Sequence, residues 1–272
     1  MRLGHSPDAD DAFMFYGVAK DKVTSDKIEF VHVIEDIQSL NKRALNKELE
    51  MTAISAHGYL MVQDDYRILA SGASMGEGYG PIVVAKEKLD SLAGKKIGVP
   101  GMLTSAFHLL CIYADGFILV EMPVDEIMPA VANGEIETGL LIHEGQLTYK
   151  EAGLELLFDI GELWEKETPL PMPLGLNVVR RDIPEDLQKE ILRVHKGSIE
   201  YGLSHKDEAL EYALEFGRGM KEDVGEKFVL MYVNDYTIDL GEKGKAALEY
   251  LFNRAHEKGI IKEQPRLDIL EL

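Results

Sequence analysis

Short apolar runs alternate with amphipathic ones from the start of the chain. "MRLG", "KIEFVHV", "MTAISA", "RILASGA" and "GPIVVAK" have the length and β-branched content of strands, and "DIQSLNKRALNK" between "KIEFVHV" and "MTAISA" has the spacing of a helix. Further on, "DSLAGKKIGVPG" predicts a turn and a strand, and "LTSAFHLLCIYA" a helix opened by Thr104 or Ser105. "GFILVEMP" reads as a strand, "VDEIMPAVANGE" as a helix interrupted by Pro129, and "ETGLLIHEG" as a strand ending in a polar loop. "LELLFDIG" and "LGLNVVRR" are two more strands. From Pro184 the pattern is almost wholly helical, with glycine breaks at "EFGRG" and "DLGEKG".

This alternation predicts an α/β protein with largely parallel sheet covered by helices. The order suggests two sheets rather than one. A first set of elements runs to about Lys88, a second begins at "KKIGVPG", and "PLPMPLGLNVV" reads as a return crossing, its prolines 169, 171 and 173 suiting an extended connector. The expected organisation is a discontinuous first lobe of residues 1–88 and 174–272, a second lobe of 89–173, and a ligand cleft between them. In such lobes the loops after strand C-termini, and the helix N-termini there, face the crevice.

Composition narrows the function classes. The 272-residue chain has room for two buried cores. A net charge of −19 argues against a nucleic-acid binder, which needs a basic surface over phosphate. No apolar run approaches the ~20 residues of a membrane span. Met1 is followed by one arginine and then strand-like sequence, without a basic-then-apolar leader, so a cytoplasmic location is expected. The single cysteine, Cys111, lies in the apolar run "AFHLLCIY" and reads as a buried structural thiol.

Four segments follow strands and are candidates for one cleft: "HSPDADDAFMFYG" from His5, "ISAHGY" (54–59), "VPGMLTSAF" (99–107) and "LLIHEGQLTY" (140–149). The first places Asp8, Asp10 and Asp11 between a strand and an aromatic run. A helix start needs only one capping residue, so the acids either face water in a first turn favoured by the helix dipole or form a wall of the cleft. In the third, Gly101 permits close backbone approach, and Thr104 and Ser105 offer hydroxyls beside unpaired helix N–H groups, which suits an anion as well as an ordinary cap. In the fourth, His143 ends an apolar strand and is followed by Glu144. The other seven histidines (5, 32, 57, 108, 195, 205 and 256) show no metal-ligand spacing, so no metal site is expected; His5 and His57 stand near cleft segments as second contacts. "GASMGEGYGP" has alternating glycines, but strand-like "PIVVAK" follows instead of a helix, so a hinge or tight crossing suits it better than a nucleotide loop.

These segments together resemble the 1,4-dihydroxy-6-naphthoate synthase family of the futalosine route to menaquinone. The resemblance covers nearly the whole chain. It is carried by an opening S-P-x-x-N/D-D-x-F pattern (Ser6, Pro7, Asp10, Asp11, Phe13), by the glycine segment from Gly76 to Pro81, and by "PGMLTSA", "IHEGQLTY" and "PLPMPLG". It implies a two-lobed fold like type II periplasmic binding proteins and a lyase that removes the sugar-derived part of cyclic dehypoxanthinyl futalosine. It also implies His143 as general base, substrate contacts at Ser55 and at Thr104 and Ser105, with Met102 and Leu103 of the same segment, and no cofactor. Asp10 is the expected ligand contact of the opening loop and Asp11 its structural tie. The substrate class the resemblance implies is a small anionic aromatic carboxylate. The family commonly opens S-P-C-P-N-D-T-F; here Asp8 stands for the cysteine, Ala9 for the proline and Asp10 for the asparagine, which adds negative charge where an anion would approach. The competing readings are a non-catalytic small-anion binding protein and a chorismate dehydratase-like enzyme.

Overall fold

The computed structural model describes residues 1–143, 145–216, 222–262 and 264–272, so Glu144 and the glycines of "EFGRG" lie outside the described residues. Numbered in chain order, one sheet contains β1 (Arg2–His5), β2 (Val31–Ile34), β3 (Met51–Ser55), β4 (Tyr66–Leu69), β5 (Ser74–Gly76), β11 (Met172–Arg180) and β12 (Ile269–Leu270). Its order is β12-β4-β11-β3-β1-β2, with β5 also paired to β11. The other sheet contains β6 (Ile82–Ala85), β7 (Lys96–Val99), β8 (Ile118–Glu121), β9 (Thr138–Leu141) and β10 (Glu155–Asp159), in the order β10-β6-β9-β7-β8.

Both sheets are mixed, where the alternation predicted largely parallel ones. β1 runs parallel to β2 and β3, and β7 parallel to β8 and β9. β6 and β11 run antiparallel to every strand they pair with. The reason is topological. A parallel strand followed by its own helix ends at the cleft, whereas a strand arriving from the other lobe begins there and must run the opposite way.

The same crossing corrects the lobe boundary. "PIVVAK" is a strand, but β6 pairs with β9 and β10 of the second sheet, so the chain crosses within Gly76–Pro81 and not near Lys88. All four residues of β6 are buried, and apolarity alone could not assign them to a sheet. The return crossing delivers β11 from Met172.

Among the helices that lead away from strand ends are α1 (Ala9–Ala19), α2 (Ile37–Leu45), α3 (Ala56–Val62), α4 (Ser105–Tyr113), α5 (Val124–Asn133) and the short α6 (Gly145–Thr148). Asp36 caps α2 by accepting the Ser39 N–H at 3.0 Å. The helix expected to break at Pro129 runs through it. Proline removes one hydrogen bond, but Ile127, Ala130 and Val131 on the same helix are buried and hold it in place. Behind the cleft the lobes share apolar packing: Tyr59 of α3 and Phe252 of the helix Gly241–Glu257 belong to one cluster with Ile97 of β7 and Leu109 of α4.

Candidate active site

The C-terminal ends of β1, β3, β7 and β9 meet around one pocket between the lobes. Asp10, Ser55, Thr104, Ser105 and His143 line it; Met102 and Leu103 do not. Among the described residues, no lysine or arginine lines it.

The three acids of the opening loop do not face water. Asp8, Asp10 and Asp11 are only 6, 9 and 7% exposed. Asp11 accepts the Ser6 N–H at 2.7 Å, which ties the loop to the first turn of α1. Burial pushes its carboxyl up to about 6, against the opposing pull of that hydrogen bond. Asp10 is raised well above the ordinary carboxylate range, first by burial and then by the charges of Asp11 and Asp8. Asp8 occupies the N-cap position of α1 with extended backbone, yet its side chain makes no capping hydrogen bond. Its Oδ2 lies 3.4 Å from His143 Nε2, across the cleft.

The opposite wall is built from two helix N-termini. Thr104 caps α4: its hydroxyl accepts the Phe107 N–H at 3.2 Å and donates to the Gly101 carbonyl at 2.7 Å. The Ser105 hydroxyl donates to Leu174 O at 2.6 Å and accepts the His57 N–H at 3.3 Å. Both hydroxyl protons, read from the sequence as available to an anion, are therefore engaged within the protein. What this wall offers a ligand is the backbone N–H of Ser105 and Ala106 in the first turn of α4, together with the dipole there. Ser55, at the N-cap of α3, is held by Asn41, whose Nδ2 donates to Ser55 Oγ at 3.1 Å and whose Oδ1 accepts the Ser55 N–H at 3.0 Å.

Met102 is 49% exposed, and Leu103 is used by its backbone, its N–H donating to Gln38 Oε1 and its carbonyl accepting from Asn41. The partner that Gly101 lets approach is likewise Gln38 of α2: Gly101 has φ +146°, and a Cβ there would lie 2.3 Å from Gln38 Cδ. The turn after β7 thus clasps the other lobe, which carries these residues away from the pocket. His5 and His57 also stand outside it. His5 faces His32 at 3.1 Å and stacks on Phe15, while His57 stacks on His108. Cys111 is half-buried outside the pocket, and burial pushes its thiol up to about 11. Among the described residues no cluster of His, Cys, Asp and Glu is placed to hold a metal ion.

His143 has a left-handed backbone, φ +52°, which turns it back from the end of β9. Gln146 secures that turn. In the amide orientation that satisfies its neighbours it accepts from His143 N and from the Tyr232 hydroxyl, and donates to Gly80 O in the interlobe crossing. Gln146, Tyr232 and Asn177 all line the pocket, and the sequence reading missed them. Asn177 donates through Nδ2 to Gly72 O at 2.9 Å, while its buried Oδ1 has no partner. A polar residue in the otherwise apolar "LGLNVV" was the available signal.

A family model described as menaquinone biosynthesis matches residues 1–257. The chain is 40% identical over 266 residues to 1,4-dihydroxy-6-naphthoate synthase of Thermus thermophilus, covering 98% of this chain and 97% of that one. It is 32% identical over 267 residues to the enzyme of the same name from Streptomyces coelicolor, covering 96% and 94%. A crystal structure of an Archaeoglobus fulgidus protein superposes with a TM-score of 0.93 at 49% identity, covering 96% of this chain and 98% of that one. A Candida albicans protein with the generic periplasmic binding protein fold superposes with a TM-score of 0.72 at 11% identity, covering 100% and 97%, and shares the fold.

Proposed function

The chain belongs to the menaquinone biosynthesis family, and on that premise we propose that it is a carbon–carbon lyase converting cyclic dehypoxanthinyl futalosine to 1,4-dihydroxy-6-naphthoate in the cytoplasm. The observation that carries the reading is His143. It comes from a strand end in one lobe, lines the shared pocket and faces the helix-opening loop of the other lobe. In this reading His143 takes a proton from a carbon next to a carbonyl. The negative charge that develops, or the substrate carboxylate, lies against the Ser105 and Ala106 N–H groups at the start of α4. The sugar-derived part then leaves with its bonding electrons, and the ring becomes aromatic. The chemistry calls on no metal or redox cofactor.

Two features of the pocket support this assignment of ends. The α4 N-terminus suits an anionic group, whereas the wall holding Asp8, Asp10 and Asp11 repels one and suits hydroxyl groups. The test is incubation of the purified protein with cyclic dehypoxanthinyl futalosine and mass spectrometry of the products. A general base contributes roughly 10²–10⁴-fold, so His143→Asn should lower kcat by that order while leaving much of the ligand affinity. A wild-type protein that bound the compound without changing it would replace this reading by a small-anion binding protein. Turnover of chorismate instead would make it a dehydratase.

A further inference from the structure

Asn177 lies within the apolar strand β11, where a leucine of similar volume would be buried without any polar cost. Half of its amide is accounted for. Nδ2 donates to Gly72 O at 2.9 Å, in a turn where Gly72 has φ +85° and where a Cβ would lie 2.7 Å from Nδ2. The amide cannot be turned over, because Oδ1 would then meet the Gly72 carbonyl, acceptor against acceptor. Oδ1 itself has no partner, and the residue is 1% exposed. Buried polar atoms without a partner also occur at His57, Tyr59, His108 and His195, but among the described residues Asn177 alone combines one with a place in the lining of the pocket. A buried carbonyl without a donor is costly, and a ligand that brings one relieves that cost on binding.

We propose that Asn177 is a specificity-determining residue whose Oδ1 accepts a hydrogen bond from a ligand hydroxyl. An amide oxygen receives an O–H and rejects a carboxylate, which is itself only an acceptor. The anionic group of the ligand is left to the Ser105 and Ala106 N–H groups at the start of α4. The strand sets the distance between the two ends. Leu174 O receives the Ser105 hydroxyl, and Asn177 lies three residues further, about 10 Å along an extended strand, a length that a two-ring acid spans. 1,4-Dihydroxy-6-naphthoate has this polarity, with its carboxylate on one ring and its hydroxyls on the other. A site built to pair with a hydroxyl rejects an analogue that lacks it, because the acceptor is then left unpaired. The inference rests on the function proposed above for the identity of the ligand.

The test measures Kd under anaerobic conditions for 1,4-dihydroxy-6-naphthoate and for 2-naphthoate, the same acid without the hydroxyls, in the wild type, Asn177→Leu and Asn177→Asp. The wild type should bind the dihydroxy acid at least about tenfold more tightly, and that preference should fall about tenfold in Asn177→Leu. Asn177→Asp keeps an acceptor at this place and, when its buried carboxyl is protonated, a donor for Gly72 O, so it should retain the preference. It separates loss of Oδ1 from loss of the tie to Gly72. A preference in Asn177→Leu within about twofold of the wild type, or one lost equally in Asn177→Asp, would overturn the role and leave Oδ1 to a trapped water. Should Asn177→Leu fail to fold, the side-chain amide signals of Asn177 in ¹⁵N spectra, assigned by their absence from Asn177→Asp, answer the same question. They should shift further with the dihydroxy acid than with 2-naphthoate, and equal shifts would overturn the contact. Turnover of cyclic dehypoxanthinyl futalosine, measured alongside, reads the proposed reaction independently: a wild type that keeps the hydroxyl preference without turnover fails the reaction and retains this contact.

Discussion

Replacing His108 by leucine should stabilise the protein, and more so in acid. His108 lies in the first turn of α4, 1% exposed, with its ring stacked on His57 at 4.3 Å. Neither of its ring nitrogens has a hydrogen-bond partner, nor has His57 Nδ1. An unpaired buried polar group costs about 1–3 kcal/mol, so a leucine of similar volume should gain about that much at pH 7.5. The pH dependence has a definite sign. Burial, and then the neighbouring His57, pushes the His108 imidazole down to about 3, against 6.5 for an ordinary histidine. Between those values the unfolded chain holds a proton that the native protein does not, so native stability falls as pH drops from 6.5 towards 3. At pH 5, about 1.5 pH units into that window, His108 alone costs about 2 kcal/mol at 1.36 kcal/mol per unit. His57, pushed down to about 4, is present in both proteins. Urea denaturation at pH 7.5 and pH 5 should therefore show the advantage of His108→Leu widening by about 2 kcal/mol, with m unchanged. A variant less stable than wild type at pH 7.5, or an advantage that does not grow at pH 5, would refute the reasoning.

Thr104→Val should act on stability more than on binding. It removes the cap of α4 and should cost about 1 kcal/mol in urea denaturation. The Kd for 1,4-dihydroxy-6-naphthoate should move by less than about threefold, since the hydroxyl proton is already given to Gly101 O. Asp11→Asn keeps an acceptor for the Ser6 N–H and removes a carboxyl whose native pKa is about 6 against 3.8 for an ordinary aspartate. The native protein holds that proton longer than the unfolded chain, so this residue's contribution falls as pH rises from 3.8 to 6. The variant should gain on wild type across that window by about 3 kcal/mol, complete above pH 6. Equal denaturation midpoints for the two proteins at pH 7 would contradict this.

What could be read from residues alone was whatever depends on neighbours along the chain. Strand length, the helix start at Thr104, the glycine crossing at 76–81 and the position of His143 at a strand end all follow from local periodicity and capping chemistry. Motifs spread over the whole length carried the family. Local pattern was silent on which sheet receives an apolar strand, so β6 was placed in the wrong lobe, and the direction of β6 and β11 followed only once the crossings were known. It was equally silent on where a hydroxyl or a carboxylate points. Thr104 and Ser105 had the chemistry to hold an anion, yet their protons go to Gly101 and Leu174. Nor could local pattern show that Asp8 approaches His143, 135 residues away on the facing lobe. Composition and spacing set which groups are available within a segment. The packing of two lobes against each other decides which of them are already satisfied and which remain free for a ligand, because hydrogen bonds and ion pairs are made at distances of about 3 Å between elements that the sequence keeps far apart.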